Sequence, residues 1–184
     1  MATTTRLTFE EYEQLPEKEG VRYELDEGTL VMTPTATWWH NSIRDQIAAR
    51  LREFAKSHGL GEITTETEFR LSADTSRIPD VAFVTLEHFK KINIYRSPIE
   101  GPPDLAIEII SPANRAEDTV KKIHQYLDAG CRCVWVVYPG LRRAEIHSTA
   151  GIQDLREEQA LKEETLLPGF SLPLSDIFRS KEAP

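Results

Sequence analysis

Asp104-Leu105-Ala106-Ile107-Glu108-Ile109-Ile110-Ser111-Pro112 is the stretch on which the reading of this fold turns. The run has the length of a buried strand and ends on a Ser-Pro break, yet it carries a carboxylate among core residues. Leu105, Ile107 and Ile109 share one face, and Glu108 leaves on the other with Ala106 and Ile110. Burying an unpaired charge costs roughly several kcal/mol, so Glu108 needs hydrogen bonds, a cation or a metal.

Downstream, residues 114–129 read as a helix with Val120, Ile123 and Leu127 on its apolar stripe and Gly130 as the stop. At about 100° per residue Lys122 falls on the flank of that stripe, while Lys121 points outward. Arg132 to Tyr138 follows as an apolar strand, so the passage from Asp104 to Tyr138 predicts a strand, helix, strand unit with a parallel crossover. Upstream, Ile78-Pro79-Asp80-Val81-Ala82-Phe83-Val84 predicts a second strand in which Asp80 leaves on the face opposite Val81 and Phe83. If these strands are neighbours, Asp80 and Glu108 converge at one edge. Two hard oxygen ligands that leave room for water suit magnesium, and a bound divalent ion can activate water against a phosphodiester. A strand-end acid capping a turn is the plainer account of Asp80, and a solvated surface charge that of Lys122.

Further out, Thr8 with Glu11 forms a capping box, with Leu7 and Tyr12 as its staple, for a short helix ending at Pro16. Val21 to Met32 alternates about a turn at Glu27-Gly28 and predicts a hairpin, with Glu24 opposite Tyr23 and Leu25. Ile43, Ile47, Leu51 and Phe54 mark the longest helix, between Thr37 and His58. His40 shares their face and is either a core histidine or one that orients an acid of the site. Ile63 to Leu71 alternates as one half-solvated strand, followed by a polar turn at Ser72 to Ser76. After the strand at Arg132 to Tyr138 come a hairpin partner at Arg142 to Ser148, another short strand or turn near Ile152 to Leu155, an acidic surface segment from Glu157 to Glu164 and a short closing helix at Leu174 to Phe178.

The chain has 184 residues and a formal charge of −8, which fits one domain over residues 1–184 and weighs against bulk attraction to a polyanion. Nucleic-acid contact must then come from a local basic patch, for which Arg115, Lys121 and Lys90-Lys91 are candidates. Trp38 and Trp39 pack, cover a dimer contact or stack on a base. Met1 to Glu10 has no apolar leader and no run approaches membrane-spanning length, so a cytoplasmic protein without a membrane partner is expected. Cys131 and Cys133, placed on one strand face, read as buried thiols rather than a bridge or a zinc site.

Pro79-Asp80 on one strand and Glu108-Ile109-Ile110-Ser111-Pro112 on the next resemble the Uma-type restriction endonucleases, a branch of the PD-(D/E)XK nuclease superfamily. Tyr23-Glu24-Leu25 with Gly28, His40, Asp118 with Lys122 and Tyr126, Trp135-Val136-Val137 and Leu167-Pro168-Gly169-Phe170 extend the likeness over nearly the whole chain. The resemblance implies an α/β, restriction-endonuclease-like fold. Its core is a mixed sheet flanked by helices in the order helix, three strands, helix, strand, with an N-terminal hairpin and a C-terminal β extension. It implies Asp80, Glu108 and the Ile109 carbonyl as ligands of magnesium, with manganese as a substitute, and Lys122 as the catalytic cation. In the superfamily that lysine stands two residues after the Glu, where this chain has Ile110; the Uma-type branch offers it from the next helix. Glu24 is the candidate for a further acid, with Glu66 and Glu68 behind it and His40 as an additional site residue, while Thr29 stands where the family usually has another acid. The implied activity is DNA hydrolysis by a homodimer. A catalytically silent nucleic-acid-binding or regulatory module, and a purely structural dimer subunit, are the alternatives.

Overall fold

Thr8 and Glu11 exchange hydrogen bonds across the first turn of α1 (Phe9–Glu13): Glu11 N–H donates to Thr8 Oγ1 at 3.2 Å, and Thr8 N–H donates to Glu11 Oε2 at 2.8 Å. The computed structural model describes residues 6–16 and 19–178; residues 1–5 of the Met1 to Glu10 reading lie outside them. β1 (Val21–Asp26) and β2 (Thr29–Pro34) pair antiparallel about Glu27 and Gly28. Both turn residues have positive φ, as a two-residue hairpin loop requires. α2 (Trp38–His58) starts at a Thr37 cap, ends at Gly59 in the left-handed region and buries Ile43, Ile47 and Leu51.

Next come β3 (Gly61–Thr65), β4 (Phe69–Arg70), β5 (Ser76–Arg77), β6 (Val81–Thr85), α3 (Leu86–Phe89), β7 (Ile99–Glu100) and β8 (Leu105–Ile109). They are followed by α4 (Ala116–Asp128), β9 (Cys133–Tyr138), β10 (Arg143–Ser148), β11 (Gly151–Arg156), β12 (Ala160–Glu163), β13 (Leu167–Pro173) and α5 (Leu174–Phe178). The main sheet has six strands in the order β11-β10-β9-β8-β6-β3. Only β8 and β9 are parallel in it, because α4 carries the chain between them. A second sheet runs β2-β1-β5-β4-β7, and β12 pairs with β13.

Strand alternation divides the core. Val81, Phe83, Leu105, Ile107, Trp135 and Val137 pack with Ile43, Ile47 and Leu51 of α2 and with Phe170 and Phe178. Ala106, Val134 and Val136 face Ile123 and Tyr126 of α4. Each large side chain so buried contributes about 1.5–3 kcal/mol, the force that clamps a helix to each sheet face.

Four local expectations change. The strand expected from Ile63 to Leu71 is two strands in different sheets, because Glu66 takes φ +53 between β3 and β4. Alternation on either side of such a residue continues undisturbed, so the pattern hides the break. Part of the polar turn at Ser72 to Ser76 is also strand: Ser76 and Arg77 form buried β5. In the same way Leu161, fully buried in β12, interrupts the acidic segment at Glu157 to Glu164. Cys131 and Cys133 do not share a face, since β9 begins only at Cys133; Cys131 packs with Ala106 and Val134, Cys133 with Trp135 and Val137. Both thiols are free and buried.

The stripe of α4 is Ile123 and Tyr126 with Leu127 packed beside them, whereas Val120, about 120° round the helix from Tyr126, is 53 % exposed. No helix among the described residues is long and apolar enough to cross a membrane. Truncation of Ile123 to Ala should therefore cost about 2–5 kcal/mol in urea denaturation. Val120→Ala should change stability by no more than about 0.5 kcal/mol. Equal costs for the two would contradict this orientation of α4.

Candidate active site

Antiparallel register brings the two strand acids together. Val81 faces Ile107 and Ala82 faces Ala106 across β6 and β8, and one further step of the same register sets Asp80 opposite Glu108. Asp80 Oδ2 accepts the Ile109 N–H at 2.7 Å, and its Oδ1 lies 2.8 Å from His40 Nε2 at the start of α2. α4 brings Lys122 and Tyr126, one turn apart, to the other carboxylate. Tyr126 O–H donates to Glu108 Oε1 at 2.9 Å, and Lys122 Nζ lies 3.0 Å from Oε1 and 3.1 Å from Oε2.

The hairpin of the second sheet completes the cluster. Glu24 Oε1 lies 2.9 Å from Lys122 Nζ and accepts the Ile78 N–H at 2.7 Å. Arg77, 4 % exposed, reaches Glu24 Oε2 at 3.3 Å and Asp26 at 2.8 Å. It also donates from Nε and Nη2 to Gln125 Oε1, whose amide in turn donates to Asp26.

Burial is the largest influence on each buried charge here. It pushes the Glu108 carboxyl up to about 7, with Asp80 and Glu24 pushing the same way and Lys122 resisting. Burial alone would lower the Lys122 pKa, but Glu108 and Glu24 outweigh it and hold the side chain as ammonium. For Glu24 burial raises the pKa, and Lys122, Arg77 and the Ile78 N–H overcome it to give a net lowering. Burial, more than its acidic neighbours, is what disfavours the charged form of Glu108.

Asp80, Glu108, Lys122, Glu24, His40 and the Ile109 peptide therefore sit in one contiguous network. Lys122 is not a surface charge, its side chain being 18 % exposed, and Glu24 is buried rather than on a solvated face. Glu68 accepts instead from Tyr12 and Ser76, and Glu66 pairs with Arg22 and Arg44. The expected basic patch is largely neutralised: Arg115 pairs with Glu117, Lys121 with Asp26 and Glu27, and Lys91 with Glu87. Trp38 is 82 % exposed, while Trp39 packs on the core. Arg77 and Gln125 went unread, because a lone arginine after a polar turn and a glutamine on a helix carry no pattern that announces burial. Tyr126 was visible in the family motif without a role.

The resemblance implies a divalent metal, and the donor set bears on it directly. Among the described residues no three His, Cys, Asp or Glu side chains form a group able to hold a metal ion. Two carboxylates with a main-chain carbonyl and water would be the donors, all hard oxygen, the kind of donor set that a hard divalent cation takes. On chemistry the residues fit magnesium.

Because its folded pKa is depressed, Glu24 contributes stability that is fully present above the ordinary carboxylate range and is lost as pH falls through the folded value. Wild type should exceed Glu24→Gln by about 3 kcal/mol at neutral pH. That gap should close in urea denaturation below about pH 4. A gap that stays constant on acidification would contradict the buried ion pairs.

Comparison with curated proteins gives no match. A crystal structure described as a putative nuclease belonging to DUF820, from Anabaena variabilis, superposes with a TM-score of 0.82 at 19% identity, over 94% of this chain and 97% of that one. At that identity the likeness concerns the fold, which is α/β with mixed sheets flanked by helices. The family model Uma2, with the description "Putative restriction endonuclease", matches residues 9–175, and the chain belongs to that family.

Proposed function

We propose that the protein is a single-domain, divalent-metal-dependent endonuclease that hydrolyses phosphodiester bonds of DNA. The observation that carries this reading is the meeting of Asp80 and Glu108 beside a buried ammonium, Lys122, on separate elements of a nuclease-family fold. Asp80, Glu108 and the Ile109 carbonyl would hold magnesium, which when bound supplies Lewis-acid polarisation of a phosphoryl oxygen and a more acidic water. The protein's own part is positioning and charge. His40 and the Ile109 N–H fix the two oxygens of Asp80, and Tyr126 fixes Glu108. Lys122 places positive charge where negative charge grows on phosphorus as the water oxygen bonds to it and the ester P–O bond breaks. Glu24 and Arg77 act through Lys122 as positioning residues.

Purified wild type should cleave single-stranded, duplex or branched DNA with magnesium, and manganese should substitute. Asp80→Asn, close in shape, and Lys122→Met should each slow cleavage by about 10²-fold or more, with folding checked by circular dichroism. Wild-type activity no greater than that of Asp80→Asn would overturn the proposal. Magnesium binding by calorimetry without turnover would identify a silent binding module instead.

A further inference from the structure

We infer that Arg22 and Arg44 form a binding site for a backbone phosphate of the nucleic-acid strand, held shut by Glu66 in the free protein. The inference rests on the nuclease reading above and names the substrate contact that reading lacks. With a net charge of −8, some local site must supply the attraction to a polyanion.

Two elements that build the candidate active site also place these arginines. Arg22 stands two residues before Glu24 on β1, hence on the same face, about 7 Å along the strand. Arg44 stands four residues after His40 on α2, hence on the same helix face one turn on. Both guanidiniums converge on Glu66 Oε1, Arg22 Nη1 at 2.8 Å and Arg44 Nη1 at 2.5 Å. Glu66 is itself tied to the site, since its N–H donates to the Asp80 carbonyl oxygen at 3.4 Å.

Arg22 gives only Nη1 to Glu66, while Arg44 gives Nη1 to Glu66 and its Nε and Nη2 to Asp45; the remaining donors, most of them on Arg22, are left for another oxyanion, and a phosphodiester presents oxygens in the geometry Arg binds best. The cluster is half-buried but reaches solvent: side-chain exposures are 27 % for Arg22, 15 % for Arg44 and 38 % for Glu66. Asp45, 67 % exposed, also meets Arg44 at 2.9 Å and screens it from solvent without enclosing it. Ion pairs this exposed are held loosely. Glu66 occupies the place a phosphate would take and so competes with substrate.

The test is fluorescence anisotropy with short labelled single-stranded and duplex DNA, without metal so that nothing is cleaved, over a series of salt concentrations. Arg22→Gln and Arg44→Gln should each weaken binding several-fold and lower the slope of log affinity against log salt by about 1. Glu66→Gln should bind several-fold more tightly, a gain that misfolding cannot imitate. Inorganic phosphate should compete with DNA more strongly in Glu66→Gln than in wild type if any phosphate enters; competition by DNA alone would assign the site to the polymer backbone. Wild type that binds DNA while all three variants match it would overturn this inference and leave the nuclease reading standing. Wild type that binds no DNA would overturn both.

Discussion

One ammonium, Lys122 Nζ, lies between the carboxylates of Glu24 and Glu108, and the arrangement of both sheets at this end of the molecule depends on it. Removing such ions from water costs several kcal/mol each, roughly, and only close pairing with full hydrogen bonding repays it. Each acid here has such partners within reach. Asp80 has His40 and the Ile109 N–H, Glu108 has Tyr126 and Lys122, and Glu24 has Lys122, Arg77 and the Ile78 N–H.

The constraint also explains how the layers are joined. Glu24 and Asp26 come from the second sheet, Glu108 from the main sheet, and Lys122 and Gln125 from the helix between β8 and β9. Arg77, on β5 in the second sheet, stands only three residues before Asp80 at the start of β6, so the chain passes from one sheet to the other through the cluster. A buried polar network of this kind resists sliding between layers, since any displacement leaves an unpaired charge in a poorly solvated place. The site is therefore as much the joint of the fold as its candidate chemistry.

Much of this was legible in particular residues. Alternation placed Asp80 and Glu108 on the faces they occupy, because successive side chains of an extended backbone leave on opposite sides. The helical angle separated Lys122 from Lys121, and the structure leaves Lys121 at the surface with Asp26 and Glu27. Other features were hidden. Val120 looked like core, yet what turns α4 is the pairing of Tyr126 and Lys122 with Glu108, a contact between residues 14 and 18 positions apart. The break at Glu66 was invisible because it is one residue's φ of +53 inside an unbroken alternation.

The amino-acid sequence by itself determined the elements, their faces and the family, because periodicity, caps and turn residues act over a few positions, where the chain already holds its parts together. Only the tertiary structure decided that β6 and β8 adjoin, that Glu24 enters the cluster from another sheet, and that Arg77 and Gln125 support it. Those are encounters between distant segments, whose free energies depend on distance and burial that no local pattern encodes.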